Sequence, residues 1–220
     1  MNLFNRGASP RRSATLVEPQ RPDGPPDFPR SGPSEPDLRT LTGNWVIDPA
    51  HSRIGFSVRH AMVTTVRGAF TDYQSRLFFD GRDPSRSGAE IILSTASVDT
   101  GVDQRDSHVS GRDFLDSGTY PHMRFLSTAV KLAAPDVYRM TGDLTIKDRT
   151  RPVVLELTYI GYVTDPFGYE RVGFDGTTTI NRSEWGLTYN TRLAEGGAMV
   201  SDKVRLQLDI AAIRTTPQPG

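Results

Sequence analysis

The stretch V-S-D-K-V-R-L-Q-L-D-I-A-A, residues 200–212, alternates from end to end. Val200, Asp202, Val204, Leu206, Leu208, Ile210 and Ala212 fall on one face, and apart from Asp202 that face is apolar. A strand points successive side chains to opposite sides, so a period of two marks a half-buried strand. The pattern recurs through the chain. In R-I-G-F-S-V-R-H, residues 53–60, Ile54, Phe56, Val58 and His60 oppose Arg53, Gly55, Ser57 and Arg59. Residues 138–147 bring together Tyr138, Met140, Gly142, Leu144 and Ile146. Residues 153–163 align Val153, Leu155, Leu157 and Tyr159, and residues 172–180 align Val172, Phe174, Gly176, Thr178 and Ile180. Further strands are expected at 44–48, 66–79, 89–96 and 122–132.

That makes eight or nine strands, joined by connections that suit antiparallel pairing. Asp165-Pro166-Phe167-Gly168 reads as a turn, and Pro152 sits where a strand begins. Residues 99–116, D-T-G-V-D-Q-R-D-S-H-V-S-G-R-D-F-L-D, break the alternation. Here Thr100 is expected to cap a short helix, Asp103 to favour its first turn and Gly111 to end it. Phe114 and Leu115 would plug into the core. A sheet of this size must protect its edges, and closure does so completely. The expected fold is all-β: one antiparallel sheet closed into an eight-stranded barrel, with a short helical insert across an opening. Such a barrel has an interior wide enough for one small or elongated ligand. Gly68, Gly142, Gly176 and Thr178 interrupt the large inward residues. Close packing and space left for an apolar ligand are both open readings of those gaps.

Residues 1–40 hold 8 of the 16 prolines, and Phe4 and Phe28 are their only aromatics. Proline removes backbone donors and biases the preceding residue away from helix, and so little apolar surface does not offset ordering the chain. The expected organisation is a disordered arm over 1–40, a barrel domain over 41–214 and a flexible tail over 215–220. The 26 basic and 26 acidic residues cancel, which removes the general electrostatic case for nucleic acid as a partner. Arginine outnumbers lysine 23 to 3, which reads as genome composition because acids match it. There is no cysteine, hence no disulfide, thiolate nucleophile or cysteine-bound metal. The N-terminus lacks the apolar run of a standard secretory signal, and no segment is long and apolar enough to insert stably in a membrane. A cytoplasmic location is expected, with export by another route left open, as is a homodimer.

Catalytic patterns are missing. There is no G-x-S-x-G elbow, glycine-rich nucleotide loop or H-E-x-x-H pair. The histidines are His51, His60, His108 and His122, and none forms a local pair with ligand spacing on a helix. Neither a metal nor a cofactor is expected, and no residue is assigned a catalytic role.

A set of short segments, in order, resembles the YceI-like family of polyisoprenoid-binding proteins. They are W-V-I-D-P-A-H-S-R-I-G-F-S-V-R-H from Trp45, V-R-G-A-F from Val66, S-V-D-T-G from Ser97, R-D-S-H-V from Arg105 and R-D-F-L-D from Arg112. Y-P-H-M-R-F-L-S-T from Tyr120, G-D-L-T-I from Gly142, R-P-V from Arg151, I-N-R-S-E-W-G-L from Ile180 and V-S-D-K-V from Val200 complete it. No piece is strong alone, but the ordered set is specific and covers residues 43–212. The resemblance implies a lipocalin-like barrel whose apolar pocket takes up a polyisoprenoid or similar amphiphile. It makes Phe56, Val58, Phe70, Met123, Phe125, Met140, Leu144, Phe174 and Trp185 pocket or core candidates. His60 would mark the polar end of the cavity, with Arg105, Asp106 and His108 in the segment across the opening. Arg105 would offer a planar donor fork to a phosphate or quinone oxygen, and Asp106 would orient a donor.

The departures also carry meaning. Ser110 follows His108-Val109 where the family has a basic residue, which implies a less charged ligand. Asp148-Arg149-Thr150 replaces a glycine–valine turn, and Trp185 replaces phenylalanine, adding volume and one donor. Three functions are compatible with the sequence. The leading one is non-catalytic binding, storage or transport of a long-chain amphiphilic lipid such as an isoprenoid or quinone precursor. The alternatives are an enzyme acting on such a lipid, with His60, Asp106 and His108 as its acid–base set, and a structural or stress protein whose barrel is packed shut.

Overall fold

The computed structural model describes residues 38–194 and 196–215. The expected arm, except its last residues, and nearly all of the C-terminal tail lie outside the described residues. Residues Leu38–Leu41 form a 3-10 turn with Leu41 buried and Leu38 packed on the core.

Eleven strands follow: β1 (Gly43–Ile47), β2 (Arg53–His60), β3 (Thr64–Phe70), β4 (Tyr73–Phe79), β5 (Gly88–Ser94), β6 (Val98–Asp99), β7 (His122–Ala134), β8 (Val137–Ile146), β9 (Arg149–Thr164), β10 (Glu170–Asn181) and β11 (Val200–Arg214). One helix, α1 (Asp103–Ser110), lies between β6 and β7. All pairings are antiparallel. β1 and β2 both run along β11, and they pair on their other side with β4 and β3 respectively. They are therefore halves of one bent strand, as β3 and β4 are of another. With the halves joined, eight antiparallel strands close into a barrel. The two-residue β6 adds to the outer side of β3.

The breaks have local causes. Between β1 and β2, Asp48 accepts from Ala50 N at 3.0 Å and Pro49 starts a 3-10 turn. The single strand expected over 66–79 is interrupted at Thr71-Asp72. Thr71 N donates to Ser97 O (3.2 Å) and Asp72 N to Ser97 Oγ (3.1 Å), so these amides leave the ladder for the 95–97 turn. The helix starts two residues later than a Thr100 cap requires. Val102 occupies the cap position with no side-chain bond, because Thr100 is engaged instead with Asp106. Gly111 ends the helix as expected.

The inward stripes form one core. Trp45 is 1% exposed and donates its indole N–H to Leu41 O at 3.0 Å, and the Arg214 guanidinium stacks 4.4 Å over its ring. Val172 and Ala212 are register partners and almost completely buried. A charged clamp ties the β1–β2 turn to the β9–β10 hairpin: Arg171 donates from Nε to Asp165 (2.8 Å) and from Nη1 to Asp48 (2.5 Å). The bond from Arg171 is the main cause holding the Asp165 carboxyl below its ordinary 3.8. Burial pushes Asp48 up, but bonds from Arg171, His51 and Ala50 outweigh it and leave it lowered too.

A carboxyl lowered in the fold contributes stability that is fully present above its unfolded pKa and is lost as pH falls through the folded one. The thermal midpoint of Arg171→Gln is therefore expected to lie below wild type near neutrality, with the gap closing as pH drops below 3.8. A gap independent of pH, followed by thermal melts across a pH series, would show that the clamp acts through packing alone.

Candidate functional site

The barrel is hollow. A cavity of about 690 Å³ occupies the lumen from the end of β2 inward. Its wall is built from the alternating stripes: Ile54, Phe56 and Val58 from β2, Leu144 and Ile146 from β8, and Val204, Leu206 and Leu208 from β11. Phe56 lies over Gly68, where a Cβ would overlap its ring, and stacks on Phe70 at 5.8 Å between centroids. Phe70, Met123 and Phe125 also line the wall. The glycine gaps at Gly68 and Gly142 are thus filled by neighbouring rings, and the open space lies between the stripes.

The polar groups gather at one end. His60 closes the β2 stripe opposite Val200 of β11. The helix adds Arg105 and His108, three residues apart and so on one helical face. Arg105 is held in place: Nε donates to Thr100 Oγ1 at 2.7 Å and Nη2 to Thr100 O at 2.9 Å. Thr100 in turn donates from N (2.8 Å) and Oγ1 to Asp106 Oδ1. Asp106 therefore orients Arg105 through Thr100 and does not itself border the cavity. The His108 ring meets Asp113 Oδ2 at 2.9 Å and packs edge-on against Phe114 and Tyr189. With Asp106 turned to Thr100 and His108 engaged by Asp113, the three-residue acid–base set of the enzymatic reading is not assembled around the lumen.

Arg182, missed in the sequence reading, is 5% exposed and borders the same cavity. Its guanidinium donates to the carbonyls of Ser201 (3.0 Å), Tyr189 (3.0 Å) and Leu187. Burial pushes its pKa below the usual arginine value, while the nearby Asp202 charge pulls the other way. A signal for it existed: Arg182 continues the parity of Val172, Phe174, Gly176, Thr178 and Ile180, which turns it inward. Among the described residues no aspartate or glutamate lines the cavity. The carboxylates of Asp106, Asp113 and Asp202 stand behind Arg105, His108 and Arg182. The end of the cavity is therefore rich in fixed donors, and the rest of its wall is apolar.

Of the residues singled out from sequence, Phe56, Val58, His60, Phe70, Arg105, His108, Met123 and Phe125 border this cavity, with Leu144. Met140 and Phe174 instead border a second cavity of about 100 Å³, deeper in the barrel. Trp185 borders neither. It is 1% exposed and donates its indole N–H to Leu144 O at 2.9 Å, so its extra volume is spent on closing the core beneath the 186–191 loop. Ser110 donates to the carbonyls of Asp106 and Ser107 within the helix, and it too is absent from the wall.

Comparison with known proteins agrees with this architecture. The sequence profile of the YceI-like domain matches residues 45–212. A UPF0312 protein of Pseudomonas savastanoi pv. phaseolicola is 36% identical over 151 residues, covering 68% of this chain and 79% of the relative. One from Ectopseudomonas mendocina is 34% identical over 178 residues, covering 80% and 90%. Among solved structures, Burkholderia cenocepacia BcnA superposes with a TM-score of 0.66 at 27% identity, covering 75% of this chain and 98% of that one. A polyisoprenoid-binding domain from Saccharophagus degradans shares the fold at 13% identity, TM-score 0.58, covering 78% and 98%. With a family match spanning most of the sequence and the barrel of its solved relatives, the chain belongs to the YceI-like family.

Proposed function

We propose that this protein is a non-catalytic binder, serving storage or transport, of a long-chain amphiphilic lipid of the isoprenoid type. The observation that carries this reading is the polarity of the cavity: about 690 Å³ of apolar lumen with its donors confined to one end. That volume lies within the ordinary range for small-molecule sites, which are mostly apolar with a few placed polar groups. A hollow lumen also weighs against a barrel packed shut. The Saccharophagus degradans neighbour, described as polyisoprenoid-binding, lends support at the level of the fold.

Affinity comes from the tail. Each methylene moved from water to the lumen contributes about 0.8 kcal/mol, so a few isoprene units reach micromolar binding after the costs of ordering. Orientation comes from the head. Arg105 faces the lumen and keeps three N–H groups beyond those used by Thr100, and the rings of His60 and His108 border the same end. The departure at Ser110 does not lower the charge of the site, since that side chain is turned into the helix.

Displacement of a fluorescent fatty amphiphile is expected to be saturable, with a negative heat-capacity change in calorimetry as the tail is buried. Absence of saturable binding for prenyl alcohols, prenyl phosphates and fatty acids alike would remove the lipid-binding reading. Arg105→Gln is expected to weaken a prenyl phosphate by about tenfold, the scale of one charge-assisted hydrogen bond, while leaving the matching alcohol nearly unchanged. Equal losses for both ligands would place Arg105 in the structure of the helix and not at the headgroup.

A further inference from the structure

Two glycines interrupt the inward stripes where the two cavities meet, Gly142 on β8 and Gly176 on β10. On the mouth side of Gly142 β8 gives Leu144 and Ile146 to the large cavity, and on the far side it gives Tyr138 and Met140 to the small one. β10 does the same, with Ile180 on the mouth side of Gly176 and Phe174 beyond it. Neither glycine leaves a void. A Cβ on Gly142 would overlap the Phe125 ring, and one on Gly176 would fall 2.7 Å from Leu157 Cδ2 and 3.1 Å from Leu208 Cδ1. Phe125 is 6% exposed, and its ring occupies the space that the missing Cβ of Gly142 leaves.

Four side chains border both cavities: Ile91 of β5, Phe125 of β7, Leu155 of β9 and Leu208 of β11. Ile91 and Phe125 are register partners. What separates the two cavities is thus a layer of apolar side chains from four strands, with Phe125 seated against Gly142 and Leu208 against Gly176.

We propose that this layer is a stop that fixes the length of the bound tail, with Phe125 and Leu208 as its specificity-determining residues. The inference rests on the lipid-binding reading above and adds its size class. At the roughly 30 Å³ that a small heavy atom occupies in a liquid, the 690 Å³ chamber holds about twenty heavy atoms, and the 100 Å³ beyond the layer adds about three. The ligand class is then a single-tailed amphiphile with a tail near geranylgeranyl in size. A longer polyprenyl chain meets the layer and leaves its surplus methylenes at the mouth in water, where they add no affinity.

The test is competitive displacement from the full chain by prenyl alcohols of increasing length, from geranyl through farnesyl and geranylgeranyl to solanesyl. Wild type is expected to gain affinity up to geranylgeranyl and to gain none beyond it. Phe125→Ala and, independently, Leu208→Ala open the layer and are expected to move that limit outward by about one to two isoprene units, the volume of the inner cavity plus the side chain removed. Leu208 is only half-buried, so its variant guards against loss of fold in the Phe125 variant. Val130→Ala, which enlarges the inner cavity alone, is expected to leave the limit in place. Affinity that keeps rising to solanesyl in wild type would overturn the proposal. So would a limit that neither opening variant moves while circular dichroism stays native. If no prenyl alcohol displaces the probe from wild type but farnesyl phosphate does, the same series is read with phosphates; if neither class does, the lipid-binding reading fails and the length stop falls with it.

Discussion

Everything in this molecule depends on the double service of β11. Its outer half pairs with β2 and its last residues pair with β1, while its other side is zipped to β10 over eleven register positions. That closes the sheet through β1 and β4, and closure removes most of the unpaired edge an open sheet would present. Closure also gives the alternation an inside. Once one face of every strand points into a lumen of fixed width, the side chains on that face decide locally between packing and space. Where β1, β4, β8 and β10 bring Trp45, Phe79, Tyr138 and Phe174 together, little room is left. Where the facing residues are Val58, Val204, Leu144 and Val153, an eight-stranded barrel is wider than they fill, and a cavity follows.

Much of the barrel was legible in the sequence because period two is a local signal. Residues 200–212 and 53–60 announced their strands and their inward faces, and Gly111 announced the end of the helix. Depth along the lumen was not legible. Met140, Leu144 and Phe174 share a face with the cavity wall, yet Leu144 borders the large chamber and the other two the small one, because alternation reports side and not height. The break at Thr71-Asp72 was hidden because it depends on Ser97, some 25 residues away in sequence. Thr100 looked like a helix cap, and its hydroxyl serves Asp106 and Arg105 instead. Trp185 was a pocket or core candidate through the family resemblance alone. Its burial against the Leu144 carbonyl is a tertiary fact that no spacing encodes. Arg182 was readable by parity, since it continues the stripe of Val172, Phe174, Gly176, Thr178 and Ile180.

Three polar side chains at the mouth are held from behind: Arg105 by Thr100 and Asp106, His108 by Asp113, and Arg182 by backbone carbonyls with Asp202 nearby. Backing of this kind fixes the geometry of these groups. Under the proposed lipid-binding function, the tail and head of a ligand are handled by separate parts of the fold, the stripes and the helix with its neighbouring loop.

The central claim is that the lumen between His60 and Phe125 is occupied by the tail of an amphiphile. The most direct measurement is organic extraction of the purified protein followed by quantitative mass spectrometry, with Val58→Trp as the comparison because its added ring narrows the lumen next to His60. Wild type is expected to release, either as purified or after incubation with a prenyl alcohol, about one single-tailed amphiphile per chain, as one enclosed site requires. The Val58 variant, with unchanged circular dichroism, is expected to release clearly less. Equal release from both proteins, or none from wild type after that incubation, would contradict the account.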